Sequence, residues 1–217
     1  MTGQVVELAG PAGAGKTTLA RALLAGSPRV VLGVAVTRRQ LVCGLARAMP
    51  SLTAARFSAP GRWWTADELR SVAYLTAWRA PVARTHGVDV VFDHGPAFRL
   101  AGLAAHGPRM TRTPAFQRLW RRLAEDWGGL LDVVVWLDAP DDVLLRRIDE
   151  RGRQHRVRGL VPGTARDFLD LYRAAYDKAL ALLERDGVRV VRFDTSEHTE
   201  QQLLAAVTAA LDVAALR

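Results

Sequence analysis

Residues 10–18 read Gly10-Pro11-Ala12-Gly13-Ala14-Gly15-Lys16-Thr17-Thr18. The spacing G-x-x-x-x-G-K-[ST] suits a polyphosphate. Glycines let the backbone close round phosphate oxygens with successive N–H groups pointing inward. A helix opening at the lysine adds the partial positive charge of its N-terminus. Lys16 is then expected to reach the outer phosphates, facing solvent and ligand rather than core, and the Thr17 hydroxyl to bind Mg2+. At this composition such a pattern arises by chance on the order of once in a thousand sequences, so a plain glycine turn is the weaker reading.

A second group with chemical potential is Asp93-His94-Gly95-Pro96, after the apolar run Val88–Phe92. In an open parallel sheet, ligands bind at the carboxyl ends of strands. Asp93 there could hold Mg2+ through water or take a proton from an attacking hydroxyl; the plainer alternative is a helix cap. Arg99 follows on the next helix and is placed, with His94, on the acceptor side. A third group runs from Asp138-Ala139-Pro140 through Arg147 to Arg151 and Arg153. A lid bearing arginines can neutralise a phosphoryl group in flight, although arginine also suits a solvated helix end.

These groups need a scaffold that presents them at one edge. Short apolar runs at 5–9, 30–36, 88–92, 131–137 and 188–193 read as five strands buried on both faces, and helical patterns alternate with them. A helix is expected over 16–25, another over 38–48 stopped near Pro50, then a loop to residue 64. Thr65-Ala66-Asp67-Glu68 is a capping box opening a helix towards Arg84. Further helices are expected over 97–105, 114–127 and 141–151, from Thr164 to 185, and over 197–211. The fold class is α/β: a three-layer sandwich around a five-stranded parallel sheet, with an arginine-rich lid.

The 217 residues are 49% hydrophobic, which fits one domain over 1–217 with a sizeable core. The single cysteine, Cys43, excludes a disulfide framework and is expected to be buried or half-buried. No leader precedes the first strand and no run spans a bilayer, so a cytoplasmic protein without a membrane partner is expected. The net charge is +8, but lysine occurs only at positions 16 and 178 and the arginines are scattered. Scattered arginine suits small phosphorylated ligands better than a specific nucleic-acid partner.

Gly10 to Thr18, Thr37-Arg38-Arg39, Phe92-Asp93-His94-Gly95-Pro96, and Trp136-Leu137-Asp138-Ala139-Pro140 leading to Arg147-Ile148 and Arg151 recur in this order in one group of proteins. Through them the chain resembles the nucleoside and nucleotide kinase branch of P-loop proteins, most closely the thymidylate-kinase-like group and its bacterial relatives. The resemblance implies the P-loop fold, ATP and Mg2+ as cofactors, and a small-molecule phosphoryl acceptor. It carries Arg38 or Arg39 to the acceptor, Arg147 to the adenine side, Arg151 and Arg153 to the phosphates as a lid about 151–163, and Asp194-Thr195 to the base. Acceptor binding falls on about 38–85, where Trp63 and Trp64 could stack on a ring. Thymidylate kinases show Asp-Arg where this chain has Asp93-His94, and Glu and Pro after the second-strand Arg where it has Gln40. The acceptor therefore stays open among nucleotides, nucleosides and other hydroxyl or phosphate compounds. A P-loop ATPase or switch without an acceptor is the alternative, although the Asn-Lys-x-Asp base reader of GTPases is absent. A homodimer is compatible with the chain.

Overall fold

The structure, a computed structural model, describes residues 3–58, 64–105, 111–150 and 162–215. Five strands, β1 (Val5–Ala9), β2 (Val30–Leu32), β3 (Asp89–Phe92), β4 (Val133–Asp138) and β5 (Arg189–Asp194), form one sheet in the order β2-β3-β1-β4-β5. Every neighbouring pair is parallel, with Val6 opposite Val91 on one side and Val133 on the other. Alternation divides the central strands between two cores. Val5, Ala9, Val134 and Trp136 face one layer; Val6, Leu8, Val133, Val135 and Leu137 face the other. That explains why the central strands read as apolar on both faces, with Glu7 the exception in β1, whereas the edge strand β5 is only half-buried and carries Arg189 and Arg192.

One layer consists mainly of α1 (Lys16–Gly26), α7 (Asp141–Glu150) and α9 (Glu200–Ala215), with Leu19, Leu23, Leu144, Leu203 and Val207 in its core. The other holds α2 (Arg38–Phe57), α3 (Ala66–Ala77), α4 (Arg79–Ala83), α5 (Pro96–Ala104), α6 (Pro114–Gly128) and α8 (Pro162–Arg185). Two of its buried tryptophans satisfy their indole N–H on a carbonyl: Trp120 donates to Leu100 O at 2.9 Å and Trp127 to Leu75 O at 3.0 Å.

Several boundaries depart from the sequence expectations for identifiable reasons. The second helix runs through Pro50 to Phe57 instead of stopping. Gly44, Ala48, Leu52 and Ala55 form its buried face, and a Cβ on Gly44 would meet Ala73 O at 3.0 Å. This close helix–helix contact holds the segment together, and Pro50 sits on the exposed side where its missing N–H costs least. Residues 51–57 are thus helix, not loop. Cys43 lies on the outer face of α2 and is exposed, against expectation. The helix capped by Thr65 breaks at Trp78, because Pro81 has no N–H to give to Ala77. The second strand ends at Leu32, before Gly33 with φ 63°. Helix α8, expected from Thr164, begins two residues earlier at Pro162; proline favours the first helical turn.

Candidate functional site

The phosphate loop connects β1 to α1 at the carboxyl edge of the sheet. Gly10 lies against β4, where a Cβ would meet Leu137 O at 2.0 Å, and Gly13 (φ 85°) against α7, where a Cβ would meet Leu144 O at 2.7 Å. No other residue fits either place. Gly15 (φ 88°) then turns the chain into α1, whose first turn has no side-chain cap. The first-turn N–H groups therefore remain directed towards a ligand, as the binding of an anion requires.

Lys16 departs from expectation. It is 9% exposed, and its Nζ donates to Gly10 O at 2.7 Å and Pro11 O at 2.8 Å. The ammonium folds back across the loop onto these two backbone carbonyls. This holds the loop in its curved form and keeps the charge inside the cradle.

The metal-binding candidates meet. The Thr17 hydroxyl donates to Asp93 Oδ2 at 2.8 Å, joining the start of α1 to the end of β3. The other carboxylate oxygen, Oδ1, is buried with no hydrogen-bond partner. A buried oxygen of this kind costs about 1–3 kcal/mol when left unsatisfied. A hydroxyl and one carboxylate, with the oxygens of a bound polyphosphate, would form the hard-oxygen set that Mg2+ takes while keeping its waters, so the residues fit that ion. His94 lies with Nδ1 3.7 Å from Asp93 Oδ2 and its ring edge-on to Phe98 at 4.6 Å. Burial pushes the imidazole pKa down, as do Lys16 and Arg99, while Asp93 pulls it up.

The sequence reading missed Glu7, which holds this corner. It is fully buried in the middle of β1 and accepts N–H groups from Gly95 (3.1 Å), Ala97 (2.6 Å) and Phe98 (2.8 Å). It therefore caps α5 from across the sheet and fixes the segment carrying Asp93 and His94. Gly95 has no room for a side chain: a Cβ would stand 2.6 Å from Phe92 Cβ and 2.9 Å from Glu7 Cδ. The available signal was a lone carboxylate inside an apolar strand, which must find buried donors. Burial pushes the Glu7 carboxyl from 4.5 up to about 7, although the three N–H donors and the Arg99 charge favour ionisation.

A carboxyl whose pKa rises on folding contributes stability that is full below its unfolded value and is lost as pH rises through its folded value. From this group the protein is expected to be more stable at pH 5 than at pH 8 by up to about 3 kcal/mol. Glu7→Gln is expected to flatten that part of the curve in denaturant melts across pH 5–8. An unchanged slope would assign the pH dependence to another group.

On the far side of the loop, Gly13, Thr18, Arg147, Glu150, Thr195 and His198 line part of a cleft of about 390 Å³. Arg147 Nη1 donates to Thr195 Oγ1 at 2.8 Å and Nη2 to Thr195 O at 3.0 Å, so α7 is tied to the segment after β5. The cleft has the size and position for the base and sugar of a nucleotide whose phosphates lie on the loop. Asp194 is exposed and turned aside: its Oδ1 accepts from the N–H and hydroxyl of Ser196, which holds its pKa down. Another residue missed in the sequence is Arg173 on α8. It donates to Asp138 at 2.9 and 3.1 Å, to Asp141 at 2.6 Å and to Ala139 O at 3.0 Å, locking the turn from β4 into α7.

The acceptor candidates are dispersed. Arg38 and Arg39 are exposed in the first turn of α2, behind the Thr37 cap. Trp64 stacks on Phe116 with centroids 6.3 Å apart and donates to Leu52 O at 3.1 Å, between α2 and α6. Arg99 lies one helical turn beyond the Asp93 corner, over Tyr74, Trp78 and Phe98. Trp63, Arg151, Arg153 and most of the expected lid, residues 151–161, lie outside the described residues.

A parallel sheet in this order, with a phosphate cradle after β1 and a carboxylate at the end of β3 bonded to the cradle's threonine, defines a P-loop nucleotide-binding protein. A family model described as an AAA domain matches residues 5–170, and the chain belongs to that family. No curated protein matches it in sequence. Among solved structures it is similar to YorR of Bacillus subtilis, in complex with phosphorylated GDP, at 14% identity and TM-score 0.56 over 99% of each chain. It is also similar to deoxyadenosine kinase of M. mycoides with dCMP and dCDP bound, at 13% identity and TM-score 0.56, covering 97% of this chain and 99% of that one. Thymidylate kinase of Candida albicans matches at 15% identity and TM-score 0.57, with 98% and 92% covered. At such identities the likeness is one of fold, and it agrees with the kinase-like fold expected from the sequence. Among the described residues no helix is long and apolar enough to cross a membrane.

Proposed function

We propose that this protein is a kinase that transfers a phosphoryl group from ATP to a small-molecule acceptor. The observation that carries the reading is the Thr17–Asp93 hydrogen bond of 2.8 Å, with the second Asp93 oxygen buried and unpartnered beside the phosphate cradle. It supports a centre built to hold Mg2+ next to a terminal phosphate. Bound there by Thr17 and Asp93, the ion would neutralise charge on the phosphates and orient them. Residues 10–18 hold the phosphates, Lys16 supplies a fixed positive charge at the transferring group, and the cleft beside Arg147 takes the base. The acceptor enters from the α5 side, past His94; Arg38 and Arg39, exposed at the start of α2, and Trp64 remain acceptor candidates, and Trp63 lies outside the described residues. Arg151 and Arg153, outside the described residues, are assigned to the phosphates by the family resemblance alone; a lid there would exclude water from a transfer that hydrolysis would waste. Nucleoside and nucleotide kinases among the fold neighbours support the same reading.

The family description favours one other reading, an ATPase or switch with no acceptor. ATP consumption with and without a panel of nucleosides, nucleotides and sugars separates the two. A kinase is expected to be nearly silent alone and to turn over with one acceptor class. Steady hydrolysis that no acceptor changes would establish the ATPase.

A further inference from the structure

Arg99 is a half-buried arginine whose guanidinium lies among aromatic rings. Its guanidinium carbon lies 5.0 Å from the Tyr74 ring centre, 5.5 Å from Phe98 and 5.9 Å from Trp78, and its Nε is buried without a hydrogen-bond partner. The comparison with other partly buried arginines is direct. Arg79 shares the unpartnered Nε, but its Nη1 pairs with Asp126 at 2.9 Å; Arg147 bonds Thr195, and Arg173 pairs with Asp138 and Asp141. Among the described residues no carboxylate stands within ion-pairing distance of Arg99; Tyr74, Arg70, Asp67 and Glu7 act on its charge only through space.

Aromatic faces attract the cation but accept few of its five N–H groups, and a buried unsatisfied donor is costly. Burial accordingly pushes the guanidinium pKa down. A planar fork held among aromatic rings, with no hydrogen bond to its guanidinium among the described residues, is suited to an oxyanion, which it can take through two parallel hydrogen bonds. Position adds the rest. Arg99 N–H bonds to Gly95 O at 3.1 Å, so the side chain starts one helical turn from the segment bearing Asp93 and His94. One turn is about 5.4 Å along the axis, within the span of a small molecule that reaches the transferring phosphate.

We infer that Arg99, framed by Tyr74, Trp78 and Phe98, is the docking point for an oxyanion of the phosphoryl acceptor, a phosphomonoester or a carboxylate. This rests on the kinase reading above and restricts its acceptors to anionic compounds. A neutral nucleoside or sugar leaves the Arg99 donors unmatched and is discriminated against.

The test uses the full chain saturated with a non-hydrolysable ATP analogue and Mg2+, so that the phosphate loop is already filled. Inorganic phosphate, benzoate and neutral benzamide are titrated separately by calorimetry, with tryptophan fluorescence as a second signal because Trp78 adjoins the site. At least one of the two anions is expected to bind and benzamide not to. Arg99→Gln is expected to weaken anion binding at least tenfold, and Arg99→Lys to restore part of it, with both variants melting cooperatively. Binding of phosphate points to a phosphomonoester acceptor; binding of benzoate alone points to a carboxylate. Absence of anion binding to the wild-type chain, or equal binding by Arg99→Gln, overturns the site. If Arg99-dependent binding persists while no acceptor supports transfer, the kinase reading falls and the anion site stands. Transfer to a neutral acceptor with no dependence on Arg99 gives the converse.

Discussion

Lys16→Ala is expected to lower phosphoryl transfer by about a thousandfold, the scale seen when one preorganised donor is removed from a developing charge. The structure sharpens the reason. With Nζ on the carbonyls of Gly10 and Pro11, the ammonium sits inside the loop. Little reorganisation is needed for it to meet a phosphate. Its removal deletes the charge and also the clasp across the loop, so both ATP affinity and turnover are expected to fall, with turnover falling further. The fold is expected to survive, because the hydrophobic layers do not depend on this side chain. Single-turnover transfer and a thermal melt check the two halves. Near-wild-type turnover at saturating ATP and Mg2+ would remove Lys16 from the mechanism.

Asp93→Asn is expected to reduce transfer by about a hundredfold or more. The amide can still accept the Thr17 hydroxyl, so the β3–α1 connection should persist while the charge is lost. Mg2+ then separates the two roles open to the carboxylate. If Asp93 holds the ion's waters, excess Mg2+ is expected to recover much of the loss. If it takes a proton from an acceptor hydroxyl, added metal is expected to do nothing, and the defect should be smaller for an acceptor that is already an anion. Full activity in Asp93→Asn would exclude both.

The phosphate loop, the five parallel strands and the capping box at Thr65 were legible in the sequence because each depends on local chemistry. A glycine pattern, a short apolar run and a side chain three residues from its backbone partner carry their meaning with them. Asp93 was legible for a related reason, since a carboxylate directly after a buried strand falls at the ligand-binding edge of any parallel sheet. What failed was also local in appearance. Pro50 looked like a helix end, yet the packing of Gly44 and Ala48 against α3 decided otherwise. Lys16 looked solvent-facing, yet the nearest acceptors were its own loop's carbonyls.

By itself, then, the sequence determined a nucleotide-phosphate site on an α/β scaffold, because that chemistry lies within nine consecutive residues and the strands flanking it. Tertiary structure alone decided how the site is held. Glu7 meets its three N–H donors about ninety residues away, Arg173 reaches back from α8 to Asp138, and Arg147 closes on Thr195 across the cleft. Arg99 acquires its meaning only from the rings of α3 and the end of that helix. No spacing rule predicts such pairs. Whether a buried charge is satisfied, and by what, depends on which distant segments the fold brings within about 3 Å.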